Sequence, residues 1–273
     1  MINHISFPSL GLNLDISRVA FTLFGKDIYW YGIIIALGFV LGLCYALSQV
    51  KKTSLSTDNL LDVILWGLPT CIICARIFYI IGDCTLMQGG FMKMIAIWDG
   101  GIAISGALIG AVLVGVIYCR IKRIDMGELF DICAPGIMIG QIVGRWGNFV
   151  NAEVYGGATD SIFGMSINGA QCVQPLFLYE SSLMLIGLAL ILLYRKHIKR
   201  SGEILFAYLL WYGSVRAVLE PLRQEEYILR LFGAPISQLV SIIMVIAAVC
   251  GIIFLHTRAS KAHGDSDNTD TPD

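Results

Sequence analysis

Charge is scarce in this chain. Only 14% of its 273 residues are Asp, Glu, Lys or Arg, and 56% are hydrophobic, against about 25% charged residues in ordinary soluble domains. Mean hydropathy is +0.74. These values exclude a typical soluble domain and indicate a multi-span membrane protein. The net charge of -1 leaves no basic surplus, so no nucleic-acid partner is expected. The start, MINHISFPSLGLNLDIS, lacks a basic segment ahead of an apolar core, so no cleavable signal peptide is expected. No internal repeat is evident, which argues against the paired halves of many transporters. Histidine is limited to His4, His197, His256 and His263. The eight cysteines do not form a framework. Cys71 and Cys74 make a CxxC, but inside an apolar run, and read as buried thiols. Cys84 and Cys172 both fall in loops on one side, so a disulfide between them is open.

What is there is a series of apolar runs. A helix needs about 20 mostly apolar residues to cross a bilayer. By that measure the sequence predicts an all-α polytopic protein with about seven spans, near 28–49, 60–81, 101–119, 128–145, 175–194, 203–220 and 232–256. Basic residues follow the first (Lys51, Lys52), third (Arg120, Lys122, Arg123), fifth (Arg195, Lys196, Lys199, Arg200) and seventh (Arg258, Lys261). The positive-inside bias therefore predicts an outside N-terminus and a cytoplasmic C-terminus. Residues 1–258 read as one membrane domain. The polar, acidic end from 259 to 273 reads as a disordered tail.

The polar residues inside these runs gather at one depth. Tyr31, Arg76, Ser105, Arg145, Glu180, Tyr212, Arg216 and Glu220 all fall in the outer half of their spans at 1.5 Å per residue. Tyr212, Arg216, Glu220 and Arg223 recur at i, i+4, i+8 and i+11, one face of a helix. Charges in lipid are costly and face a bundle interior or a wet cavity. One reading is an Arg216–Glu220 pair that only locks helices together. Arg76 is able to snorkel to the interface. The other reading is an anion site, because a guanidinium fork matches phosphate and keeps its proton. Lipid head groups carry phosphate at this depth. Just after the run IMIGQIVG, the stretch GRWGNFVNAEVYGG supplies Arg145, Asn148, Asn151 and Glu153. The asparagines suit glycerol hydroxyls. Glu153 has three open roles: orienting Arg145, acting as a base, or balancing charge. Gly101, Ser105, Gly106, Gly110 and Gly115 put small residues at helix-packing spacing. Gly156 and Gly157 turn the chain, and Trp30, Trp98 and Trp146 read as interfacial anchors.

GRWGNFVNAEVYG resembles the G-R-x-G-N-F-x-N-x-E-x-x-G motif of bacterial prolipoprotein diacylglyceryl transferases. FDICAP, WYG at 30–32, CARIFY at 74–79, WDGGIAISGALIG at 98–110, QPLFLYE at 174–180 and YGSVRAVLEPLRQ at 212–224 follow that family's order and approximate spacing. The resemblance covers nearly the whole chain apart from the tail. It implies transfer of the diacylglyceryl group of phosphatidylglycerol to the lipobox cysteine of an exported prolipoprotein, with release of glycerol phosphate and with no metal or soluble cofactor. It also implies a location in the bacterial cytoplasmic membrane with the site open to the outer leaflet. The expected partners are phosphatidylglycerol, lipobox signal peptides and membrane lipids.

Carried onto this sequence, the resemblance makes Arg145, Arg216, Tyr31 and Glu153 the candidate catalytic residues. Asn148, Asn151, Gly156, Tyr212, Glu220, Arg76 and Ser105 join Arg145 and Arg216 as candidates for binding phosphatidylglycerol. Two positions depart from the family, which commonly has histidine where this chain has Ser105 and Gln174. The thiol then acts without a dedicated base, or Glu153 or Tyr31 substitutes, or the chain is a diverged homologue with another acceptor. An anion transporter is the non-enzyme alternative; it would distribute its polar groups through both leaflets.

Overall fold

The computed structural model describes residues 2–82, 90–96, 101, 103–198, 200–228, 230–231 and 234–266. Eight helices order these residues: α1 (Trp30–Val50), α2 (Thr57–Gly82), the short α3 (Phe91–Ile95), α4 (Ile104–Lys122), α5 (Met126–Asn151), α6 (Leu176–Tyr194), α7 (Glu203–Leu219) and α8 (Ile236–Ser266). Six of them are long and apolar enough to cross a membrane, so the protein is polytopic. The sixth predicted span differs: α7 has 17 residues, about 26 Å at 1.5 Å per residue, against a hydrocarbon core of about 30 Å. Gly202 caps its start in a left-handed conformation and Pro221 ends it, because a proline nitrogen has no hydrogen to continue the ladder. Helix α8 runs to Ser266, through the first part of the expected tail. Residues 267–273 lie outside the described residues, as do Cys84 and Trp98.

The chain divides into two compact units, residues 1–46 with 133–273, and residues 47–132. In the smaller unit α2 and α4 pack tightly. A Cβ on Gly106 would meet the Cys74 carbonyl, and one on Gly110 would stand 3.0 Å from Cys71 Cα. These are the small-residue contacts predicted from their spacing. Ser56 Oγ accepts from Asn59 N at 3.1 Å at the head of α2, and Asp125 Oδ1 accepts from Glu128 N at 2.9 Å at the head of α5, both N-cap bonds.

In the larger unit Gly38 and Gly42 of α1 face Gly140 and Gly136 of α5, backbone against backbone. Ala134 and Met138 of α5, Met184, Leu188 and Ile191 of α6, and Ile204 and Tyr208 of α7 form a buried core. The outward side chains of the long helices are apolar: Ile35, Phe39, Leu185, Leu193 and Ile243 are all exposed, as lipid contact requires.

Apolar runs predict no element before residue 28, and strands lie there. β1 (Ile2–Phe7) pairs antiparallel with β2 (Leu12–Ser17) and with β5 (Ser166–Ile167), while β3 (Val19–Leu23) and β4 (Lys26–Tyr29) form a hairpin. Alternation drives β1: Asn3, Ile5 and Phe7 point inward. Ile5 and Phe7 pack with Phe149, Met165, Val173 and Phe177, and Asn3 Nδ2 donates to the Val150 carbonyl at 3.0 Å. This small core fixes the end of α5 that carries the motif.

Candidate active site

Helix α5 ends inside the motif, and its exit is strained. Ala152 and Val154 both have positive φ, 51° and 57°. That region is uncommon for any side chain and an outlier for a β-branched one. The two left-handed residues flank Glu153 and fold the chain back, with Glu153 N donating to the Asn148 carbonyl at 3.0 Å. The Glu153 carboxylate then lies under the motif asparagines: Oε1 accepts from Asn148 Nδ2 at 3.0 Å and from Asn151 Nδ2 at 3.4 Å. Among the described residues it has no arginine partner. Of the roles left open for it, orienting Arg145 therefore has no contact behind it.

The partner of Arg145 is Glu180, near the start of α6. Arg145 Nη2 contacts Glu180 Oε2. Arg216 Nη1 donates to Glu180 Oε1 at 3.0 Å, and Arg223 Nη2 stands 3.8 Å from the same oxygen. Glu180 thus joins three arginines while only 5% exposed. Arg216 Nη2 reaches Glu220 Oε2 at 2.9 Å, one helical turn on, and its Nε donates to Ser237 Oγ of α8 at 2.9 Å. Every nitrogen of Arg216 is engaged by the protein. Arg145 uses one nitrogen on Glu180, and its side chain is 22% exposed.

Beyond α7, Pro221 sets a 3-10 turn over Glu220–Leu222, so the helical face ends at Glu220 and Arg223 is extended. Arg223 Nε is buried without a hydrogen-bond partner, 3.8 Å from Glu220 Oε2. Burial and the Arg216 charge press its pKa down to about 10, still far above neutrality, so it remains a cation. Counted as ionised, the three arginines outnumber the carboxylates of Glu180 and Glu220 by one charge. That net positive charge favours an anion.

The motif glycines make close approaches. A Cβ on Gly147 would stand 2.9 Å from the Tyr31 ring, so this glycine lets Tyr31 of α1 lie against α5. Tyr31 lies within electrostatic reach of Glu153 and Arg145. Gly156 is clamped between two passing strands of chain: its N donates to the Gln174 carbonyl at 2.9 Å, and Gly157 N to the Leu222 carbonyl at 3.0 Å. A Cβ on Gly156 would be 2.7 Å from the Leu222 carbonyl oxygen. Gly156→Ala should therefore destabilise the purified protein by about 1–3 kcal/mol, the usual range for overpacking, measured by denaturation in detergent. Unchanged stability would remove this packing role. Tyr212 stacks on Tyr208 at 5.8 Å between ring centroids, one turn before Arg216.

Two predicted residues belong to the other unit. Arg76 donates through Nε to the Met94 carbonyl at 2.8 Å, through Nη1 to Gly101 at 2.7 Å and through Nη2 to Lys93 at 2.7 Å. It also lies over the Tyr79 ring at 5.6 Å. Within its unit its guanidinium is a clasp for the chain after α2. Ser105 lies exposed at the start of α4.

Family comparison agrees with the motif. Residues 18–254 match the model of the family described as prolipoprotein diacylglyceryl transferase. The chain belongs to this family. It is 40% identical over 271 residues to the phosphatidylglycerol–prolipoprotein diacylglyceryl transferase of Lysinibacillus sphaericus, covering 94% of this chain and 98% of that relative. It is 39% identical over 259 residues to the protein of the same name from Lactobacillus acidophilus, covering 90% and 91%. A third, from Bacillus velezensis, is 35% identical over 265 residues, covering 92% and 97%. The arginine–carboxylate cluster is thus built within a chain of this family by helices α5, α6 and α7, the turn after α7, and Ser237 at the start of α8. Of the residues that meet there, Glu180, Arg223 and Ser237 were not among the predicted site residues.

Proposed function

We propose that the protein transfers the diacylglyceryl group of phosphatidylglycerol to the lipobox cysteine thiol of exported prolipoproteins, at a site facing the outer leaflet of the bacterial cytoplasmic membrane. The cysteine sulfur attacks the glycerol carbon that bears the phosphate. A thioether bond forms, the carbon–oxygen bond breaks, and its electron pair leaves with glycerol phosphate. The observation that carries this reading is the Glu180 hub, which holds Arg145 by one nitrogen and, among the described residues, leaves the rest of its fork without a protein partner; in this reading that open arm takes the departing phosphate.

Charge grows on that oxygen in the transition state, and preorganised donors aimed at it lower the barrier. Arg223, with a buried Nε lacking a hydrogen-bond partner, is the second donor. Arg216 acts as a positioning residue, since all its nitrogens hold protein groups. A cavity of about 570 Å³ opens beside Tyr31 and Asn151 and is walled by Ile28, Ile33 and Ala36. It suits an acyl chain whose glycerol end lies at the polar rim. The orientation rests on the charged ends. In the larger unit, α6 is followed at its far end by Arg195, Lys196 and Arg200, opposite the end that carries Glu180, as the positive-inside rule expects of a cytoplasmic end.

The test is transfer from labelled phosphatidylglycerol to a lipobox peptide by purified protein, with Arg145→Ala as control. Transfer that vanishes in the control is expected. A folded, lipid-binding protein that transfers nothing would overturn the reading.

With no histidine at Ser105 or Gln174, the carboxylate free of arginine is the candidate base. Glu153 then takes the thiol proton. Glu153→Gln should lower kcat near pH 7 by about 10²-fold or more, within the range for general bases. Its activity should climb roughly tenfold per pH unit toward the thiol pKa of about 8.5, because self-ionised thiolate replaces the lost base. A variant whose pH profile parallels that of the unaltered protein would reduce Glu153 to an orienting group.

A further inference from the structure

A second polar cluster lies at the opposite end of α6 and α7. A cleft of about 290 Å³ is walled by Leu190 and Tyr194 of α6, Glu203, Ala207 and Trp211 of α7, and Ile252 of α8. Its wall is apolar except at one end. There Glu203 is 3% exposed, and its Oε1 is buried without a hydrogen-bond partner. Tyr194 donates to the other oxygen, Oε2, at 3.3 Å. His256 Nε2 lies 3.6 Å from Oε1, past hydrogen-bond distance, on a ring that is 52% exposed. Glu203 also sits in the first turn of α7, where the helix dipole favours a negative charge. A buried carboxylate with an open oxygen is expensive unless a donor fills it.

The cleft runs alongside the helix. From Glu203 to Trp211 is eight residues, about 12 Å at 1.5 Å per residue. The Trp211 ring lies against Gly187, where a Cβ would collide with it, and its Nε1 donates to the Leu183 carbonyl at 2.9 Å. The indole is thereby fixed as a flat apolar wall. A buried carboxylate with an open oxygen thus closes one end of an apolar cleft between α6, α7 and α8.

We propose that this cleft binds a zwitterionic aminophospholipid. Its primary ammonium bonds Glu203, and one acyl chain lies along Ala207 and Trp211. A trimethylated head group has the charge but no N–H, so it leaves Glu203 Oε1 without a donor. One charge-assisted hydrogen bond is worth about tenfold in affinity.

The test uses the purified full-length protein in detergent and compares phosphatidylethanolamine with phosphatidylcholine of identical chains. Retention is read by native mass spectrometry. Seating of the chain is read by quenching of Trp211 with brominated acyl chains, taken as the quench lost in Trp211→Phe. The expected result is about tenfold preference for the primary amine, abolished in Glu203→Gln. Equal retention of both lipids, or an unchanged preference in Glu203→Gln, would overturn the proposal. Should Glu203→Gln fail to fold, Ala207→Leu decides: it fills the channel and should remove the Trp211 quench, and a persisting quench would also overturn it. Transfer activity is not a readout here, so failure leaves the transferase reading untouched.

Discussion

Arg145→Lys should lose about 10²-fold or more of transfer activity while the protein keeps its stability within about 1 kcal/mol. The reasoning starts from what each nitrogen does. Arg145 gives one nitrogen to Glu180, and its side chain is 22% exposed. A lysine ammonium is able to take over that single contact, so the structural loss is small, as for a partly exposed ion pair. What a point charge lacks is the second arm of the fork. Removing one preorganised donor from a developing oxyanion slows reactions by about 10²–10³-fold. The expected signature is a fall in kcat and in kcat/KM together, because the lost contact belongs to the transition state. Arg145→Lys with near-full activity would sink the assignment of the leaving phosphate to this side chain.

The Arg145 site shows how much a sequence of this kind discloses. The spans were legible because lipid demands long apolar runs, and the exit of α5 was legible because Arg145, Asn148, Asn151 and Glu153 interrupt one. The face of Tyr212, Arg216 and Glu220 was legible because its spacing is local, and the Arg216–Glu220 contact follows from it. Glu180 was visible as a polar residue in QPLFLYE, but its role as hub was not. Its partners come from other helices, Arg216 being 36 positions away, and no periodicity reports such a meeting.

Arg76 shows a kind of contact that residue spacing does not report. Depth and the family resemblance made it a phosphate candidate, and its guanidinium also donates to the carbonyls of Lys93, Met94 and Gly101. Backbone acceptors leave no trace in residue identity. The strands before residue 28 had a trace, the alternation of Asn3, Ile5 and Phe7. It was short, and the partner strand β5 lies beyond residue 160.

Arg216→Lys should behave differently from Arg145→Lys, and the contrast is the stronger test of the network. Arg216 fixes Ser237, Glu180 and Glu220 with three separate nitrogens. Glu220 is 1% exposed, and its next nearest cation, Arg223, is 3.8 Å away. A lysine, with one nitrogen, would hold one or two of these groups and leave a buried carboxylate short of a partner. Breaking a buried pair destabilises by about 3–5 kcal/mol; with a charge still present nearby, a loss of about 2–3 kcal/mol is expected. Activity should also fall about 10²-fold, because Glu180 loses the bond that holds it against Arg145. A double variant carrying both lysines should lose less activity than the two single losses combined, since the groups act through the shared carboxylate. Full additivity, with Arg216→Lys as stable as the unaltered protein, would show that Glu180 does not couple the two arginines and that Arg216 meets the substrate on its own.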